Sequence, residues 1–330
     1  MLLVLFYAFK VFFTYLDSQK TEVIFSNPVF GKIPPPEIKI GTPSGGLEYV
    51  LDTVEGSPTT ASPTAKVFFL PETSTKFGYR EKIYLIAKNL GFDTETVSHT
   101  LSGQKAVFED AKRRLSIDIT NFNYDYEYLY ATDEAFFQNI AIPDENQIQQ
   151  AATDFLKEVG RYPEELAMGK NHILYFNLDT ENNRLYATER PQEANVVEVD
   201  FYRPDVDAAS SPIPVVPPSY FNSQNHVVMV FSESGVKVLR AKIAFFEKST
   251  TQIGVYPLKT GDTAWVELKA GKGTIVANDT VGSSITVKKM FLGYFDPDTY
   301  QPYLEPVYVF LGDNNYVGYV PAVSNAYLSK

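Results

Sequence analysis

Residues 256–323 change their hydrophobic period part-way, and that change limits the possible fold more than any other feature of the chain. The segment opens YPLKTGDTAWVELKAGKGTIVA. Ala264 and Trp265 lie four and three residues before Leu268, the spacing of one helical face. Asp262 or Thr263 can cap this helix by accepting from its first free N–H groups, and Gly271 and Gly273 permit the turn that ends it. The period then drops to two. Ile285, Val287, Lys289 and Phe291 share one face of a strand, and Thr286, Lys288, Met290 and Leu292 share the other. Pro302 and Pro306 would interrupt a central ladder, so the next strand is expected after Pro306 or at a sheet edge. Asp313, Asn314 and Asn315, after Gly312, form a hairpin turn. The expected order is strand, helix, then strands.

A similar order recurs upstream. Strands are expected over 47–54 and 66–70. A helix follows over 79–90, with Ile83, Ile86 and Leu90 in phase and Gly91 as its stop. Alternating segments continue to about residue 129. Asp144 caps a second helix over 145–159, with Ile148, Ala152, Phe155, Leu156 and Val159 on its apolar face. Strands are expected over 170–178, 183–188 and 195–202. After a Pro/Ser-rich connection at 204–218, three more cover 226–231, 237–246 and 252–256. The fold class these periods imply is α+β: antiparallel β-meanders each covered by a helix, β above α, in two or three units. The divisions are an apolar terminus (1–16), a linker (17–46), a first α+β unit (47–130), a middle unit (131–255) and a C-terminal unit (256–330).

Phe (24) and Tyr (22) supply most of the aromatic content and favour strands. The net charge of −11 disfavours nucleic acid as a partner, since phosphate binding needs a concentrated positive surface. The basic cluster Lys112, Arg113, Arg114 fits a solvated strand face or loop. The absence of cysteine excludes disulfides, thiol catalysis, thiolate metal sites and lipoprotein anchoring. Residues 2–16, LLVLFYAFKVFFTYL, are apolar but for Lys10 and Thr14. They read as an N-terminal membrane anchor, although a spanning helix usually needs about 20 apolar residues. A membrane-surface helix and an ordinary buried segment are the alternatives. Ile33-Pro34-Pro35-Pro36-Glu37 behind it reads as a stiff spacer. Anchor, spacer and globular body is the layout of a membrane-tethered protein with its body outside the cytoplasm.

Tyr256-Pro257-Leu258, Ala264-Trp265-Val266-Glu267-Leu268 with Gly271-Lys272-Gly273, Leu292-Gly293-Tyr294, and residues 303–310 together resemble PepSY-like extracytoplasmic domains. More loosely, they are similar to the membrane-anchored YycH/YycI-type regulators of a sensor kinase. The resemblance covers about 70 residues well. It implies a PepSY-like unit, no catalytic motif and no cofactor. The partner it implies is another extracytoplasmic or membrane protein, which this one regulates.

Little else points to chemistry. Ser234-Gly235-Val236-Lys237 and Lys259-Thr260-Gly261 match S-x-x-K and K-T-G of penicillin-recognising enzymes, with Ser223-Gln224-Asn225 as a third element. The order is wrong and the spacing too short for an enclosed site. His99, His172 and His226 stand alone in strand-like sequence, so a zinc site would have to be assembled from distant segments. Acidic turns at 179–183, 296–298 and 313–315 offer oxygen ligands but match no calcium loop. No catalytic or metal-binding residues are therefore expected. The binding candidate is FNYDYEYLY, where Tyr124, Tyr126, Tyr128 and Tyr130 fall on one strand face and could hold a peptide or glycan. A sheet face covered by a helix is the alternative. The function expected is a non-enzymatic, membrane-anchored module that binds and regulates another cell-surface protein. A cell-wall or peptide hydrolase with carboxylates from distant strands, and a surface ligand-binding or adhesion protein, are the alternatives. Trp265, the only tryptophan, is expected to anchor the core of the last unit.

Overall fold

The computed structural model describes residues 25–59, 62–129, 141–179, 184–208, 211–233 and 235–329. The expected anchor at 1–16 lies outside them. In chain order the elements begin with β1 (Thr42–Pro43), β2 (Glu48–Leu51), β3 (Thr64–Phe69), α1 (Tyr79–Asn89), β4 (Thr100–Ser102), β5 (Lys105–Glu109), β6 (Arg113–Asp118) and β7 (Tyr124–Tyr128). Next come α2 (Glu145–Val159), α3 (Glu164–Ala167), β8 (Asn171–Asp179), β9 (Arg184–Ala187), β10 (Val196–Phe201), β11 (Val215–Val216), β12 (His226–Ser232) and β13 (Gly235–Ile243). The last are β14 (Ile253–Pro257), α4 (Gly261–Lys269), β15 (Thr274–Ala277), β16 (Ser284–Phe295), β17 (Tyr303–Gly312) and β18 (Val317–Pro321).

These strands form two nine-stranded sheets. The inner sheet comes from the middle of the chain, in the antiparallel order β4-β5-β6-β7-β13-β12-β10-β8-β9. The outer sheet draws on both ends of the chain. Its path is β1-β15-β18-β17-β16-β11, with β2 parallel to β16 and β3 joining β14 to β17.

The fold is β-rich, which corrects the expectation of α+β, PepSY-like units with a helix over each meander. Among the described residues, only α1, with 11 residues, and α2, with 15, are longer than ten. Both lie on the inner sheet. The unit expected over 47–130 is divided, because β2 and β3 join the outer sheet and β4 to β7 the inner one. Alternation states which face of a strand is buried, but not which distant strand lies beside it.

Local signals were followed more closely. Asp144 caps α2, its side chain accepting from Gln147 N at 3.0 Å. Asn314 and Asn315, at φ 53° and 56°, give the β17–β18 hairpin two left-handed residues, the pattern of a type I′ turn. Thr260, not Asp262 or Thr263, caps α4 by accepting from Thr263 N at 3.2 Å. Pro306 lies inside β17, between β16 and the flank where β3 gives way to β18. Its carbonyl accepts from Ala322 N at 3.0 Å. The N–H and C=O of an antiparallel residue face the same flank, so the missing N–H faces the gap between two partners, where no ladder bond is lost.

One face of the inner sheet carries the main core. Ile83, Ile86 and Ala87 of α1 and Ile148, Ala152, Leu156 and Val159 of α2 pack on Phe108, Leu115, Tyr126, Ala241, Val227 and Val199. After α3 the chain passes so close to Tyr202 that a Cβ at Gly169 would sit 1.7 Å from the Tyr202 carbonyl. Only glycine fits there.

The helix α4 buries Ala264 and Leu268, but Trp265 is only half-buried. Its ring lies 6.1 Å from Tyr49 and 6.1 Å from Phe310. The unexpected buried residue is Glu267, whose carboxylate meets Lys259 Nζ at 2.7 Å and Asn325 Nδ2 at 2.7 Å. Replacing Trp265 with alanine is expected to cost about 2 kcal/mol, below the range for fully buried aromatics. Glu267→Ala strands the Lys259 ammonium in the interior and is expected to cost about 3–5 kcal/mol. Urea unfolding of the two variants checks that order.

Candidate functional site

The inner sheet has a second face, away from the helices, and strand register sets what stands on it. One row crosses the sheet through His172 (β8), Asp200 (β10), His226 (β12), Lys242 (β13), Asp125 (β7) and Ser116 (β6). A second row, two residues away, runs Leu174, Glu198, Val228, Arg240, Glu127, Arg114 and Glu109. Antiparallel sheets commonly keep one face polar, and this one is rich in ionisable groups. Arg240 and Glu127 pair at 3.3 Å near its centre.

Glu198, Asp200 and His226 converge at one end of the rows. Each offers a ligand atom, and these atoms lie within 4.8 Å of one another. The loop between β11 and β12 closes over Asp200. Ser223 N donates to Asp200 Oδ2 at 2.9 Å, and Tyr202 OH donates to the same oxygen at 3.0 Å. His226 Nδ1 lies 3.0 Å from the Ser223 carbonyl. Asp200 is fully buried, and its Oδ1 has no hydrogen-bond partner. Burial pushes the Asp200 carboxyl up to about 7, opposed by the Ser223 N–H and aided by the charge of Glu198. Glu198 is also raised, first by burial.

A cleft of about 320 Å³ opens near the other end of the first row. Ser116, Asp125 and Lys242 line it from the inner sheet, and Glu72 and Asp298 line it from segments that flank the outer sheet. The ring of Tyr300 meets Phe246 edge-on at 5.9 Å on its wall. Thr299 Oγ1, also on the lining, is buried without a partner. Glu72, Lys105, Asp125, Lys242 and Asp298 all border the cleft. They make no ion pair with any described residue.

The residues picked out from sequence fall differently. Tyr124, Tyr126 and Tyr128 do share a face, but it is the helix-covered one, and they are 3%, 4% and 2% exposed. They are core residues rather than an exposed strip; Tyr130 lies outside the described residues. Tyr124 alone also borders the cleft, and its hydroxyl is buried without a partner. The penicillin-enzyme elements do not assemble. Lys259 is tied to Glu267, Ser223 is bound into the loop over Asp200, and Ser234 lies outside the described residues. His99 Nδ1 lies 3.2 Å from Tyr84 OH, apart from the other two histidines. The Glu198 and Asp200 pair was missed, although two acids at alternate positions in VVEVDF are a legible anomaly for a buried strand.

No family model and no curated protein matches the chain. Among solved structures, an uncharacterized protein from Eubacterium rectale ATCC 33656 is similar over 86% of this chain and 90% of its own, at 14% identity and a TM-score of 0.37.

The raised carboxyl carries a pH signature. Unfolded Asp200 titrates near 4, whereas the folded protein holds its proton up to about 7. The folded state therefore binds the extra proton between those values. Stability from this group is whole below about pH 4 and is lost as pH rises through about 7. Asp200→Asn keeps the neutral form and is expected to flatten that decline. Unfolding of wild type and variant across this range, with a chelator present, measures it.

Proposed function

We propose that this protein is a non-enzymatic, membrane-anchored module that binds and regulates another extracytoplasmic protein, and that it grips an extended, charged segment of that partner in the cleft. The observation that carries the reading is the set of charged side chains around the cleft. Three carboxylates (Glu72, Asp125, Asp298) and two ammonium groups (Lys105, Lys242) share one small space without pairing to each other. A ligand bearing both signs of charge satisfies them, and a peptide does so with ordinary side chains. A volume of about 320 Å³ is at the small end for ligand pockets and suits a few side chains of a longer segment. The Tyr300 and Phe246 rings add an aromatic wall, a common element of recognition surfaces.

The arrangement of the acids favours binding over hydrolysis. Glu198 and Asp200, the two acids that burial raises, are alternate residues of β10 with ligand oxygens within 4.8 Å of each other, on one side of any bound chain and outside the cleft. Two carboxylates that cleave a glycosidic bond stand about 5–9.5 Å apart, on either side of it. The resemblance of residues 256–310 to extracytoplasmic regulators supports the same reading. So does the apolar sequence at 2–16, which the proposal takes as the anchor. No helix among the described residues is long and apolar enough to cross a membrane.

Two experiments test this. In intact cells, protease is expected to degrade the body of the full-length protein, which fractionates with membranes; a protected, soluble protein would remove the compartment from the proposal. Crosslinking in intact membranes should capture a partner with wild type. Joint charge reversal, Lys242→Glu with Asp298→Lys, should reduce that capture about tenfold, while the same change at a remote site, Lys39→Glu, should not. Equal capture by all three proteins would reject the cleft as the recognition site.

A further inference from the structure

We propose that Glu198, Asp200 and His226 form a binding site for one divalent transition-metal ion, with zinc the best fit. The inference does not depend on the partner reading. It rests on which atoms of the three side chains are occupied and which are left over.

The outer atoms are already held. Asp200 Oδ2 accepts from Ser223 N and from Tyr202 OH, at 2.9 and 3.0 Å. His226 Nδ1 lies 3.0 Å from the Ser223 carbonyl, and a proton there donates to it. This fixes the tautomer and leaves the lone pair on Nε2. A metal-binding imidazole and its carboxylate neighbours are usually oriented by such partners. The inner atom of Asp200 receives no hydrogen bond from an N–H or hydroxyl: Oδ1 is buried, within a side chain that has no exposed surface, and its neighbour is the Glu198 carboxyl, itself an acceptor. A buried carboxylate oxygen with no partner is costly and demands an explanation. A cation bound between it, Glu198 and His226 supplies one.

The scaffold is rigid. Glu198 and Asp200 are alternate residues of β10, and His226 is the direct register partner of Asp200 on β12. One ligand atom from each of the three side chains lies within 4.8 Å of the others. Atoms that share a zinc ion at about 2.0–2.2 Å are at most about 4.4 Å apart, so small side-chain rotations close the site. The donor set selects the ion. Two carboxylates balance the charge of a dication, and an imidazole suits zinc better than manganese, magnesium or calcium. Arg240 lies near enough to act on Glu198, but it is shared with Glu127. His172 stands opposite Asp200 on the other flank, exposed on the same face, where it can approach a fourth position.

The test is calorimetric titration of chelator-stripped full-length protein with zinc, manganese and calcium ions. One zinc ion per chain is expected, bound more tightly than calcium. His226→Ala and Asp200→Asn should each weaken zinc binding at least about tenfold, and Tyr202→Phe should weaken it less. His99→Ala should change nothing. Circular dichroism confirms that each variant is folded, and Glu198→Gln serves as a second ligand variant should either fail. Absence of zinc binding by wild type overturns the proposal. So does zinc binding that the folded ligand variants leave unchanged.

Discussion

The buried guanidinium of Arg203 joins the two sheets, and the position of the cleft depends on it. Its side chain has no exposed surface. Nε lies 3.1 Å from Asp296 at the end of β16, Nη1 lies 2.8 Å from Glu165 of α3, and Nη2 lies 2.8 Å from the Phe246 carbonyl. The plane rests 4.0 Å over the Phe245 ring. Lys248 also pairs with Glu165, so two cations offset two carboxylates. Such a cluster is expensive to desolvate, and it persists only when nearly every donor and acceptor is met. Gln224 meets the remaining oxygen of Asp296 at 3.0 Å. The network thus fixes, at one point, helix α3, the exits of β10 and β13, the end of β16 and the loop over Asp200. Asp298 and Tyr300 follow Asp296 directly, so the clamp also sets one wall of the cleft.

The inner sheet divides its labour by face. Val, Ile and Tyr side chains on one face lie under α1 and α2, and that burial supplies most of the driving force for this part of the chain. The other face carries the charged side chains, because the apolar burial of this sheet is met on the helix side. The carboxylate pair and His226 stand at one end and the mixed-charge cleft near the other, linked by a single row of register partners.

What was legible in the sequence was local. The cap at Asp144, the stop at Gly91 and the turn at Asn314 and Asn315 follow from backbone chemistry within a few residues. The alternation of Tyr124, Tyr126 and Tyr128 correctly placed them on one face. The acids between them, Asp125 and Glu127, already marked the opposite face as the wet one, so the tyrosines were the inward set. Partners far apart in the chain were not legible. Nothing near Leu51 announces Val287, and nothing near Phe69 announces Tyr303. His226 meets Asp200 only because β12 adopts one register against β10, and a one-residue slip would turn it to the other face. The same limit hid the Arg203 clamp, whose partners lie 38 and 93 residues away.

Trp265 lies on the outer sheet and is the chain's only tryptophan, so its emission follows that sheet, while far-ultraviolet circular dichroism follows both. The most direct test of the clamp is urea unfolding of Arg203→Met followed by these two signals. The account predicts that they coincide in the wild type and separate in the variant, as the sheets lose their shared anchor. Coincident transitions in both proteins, at nearly equal midpoints, would contradict it.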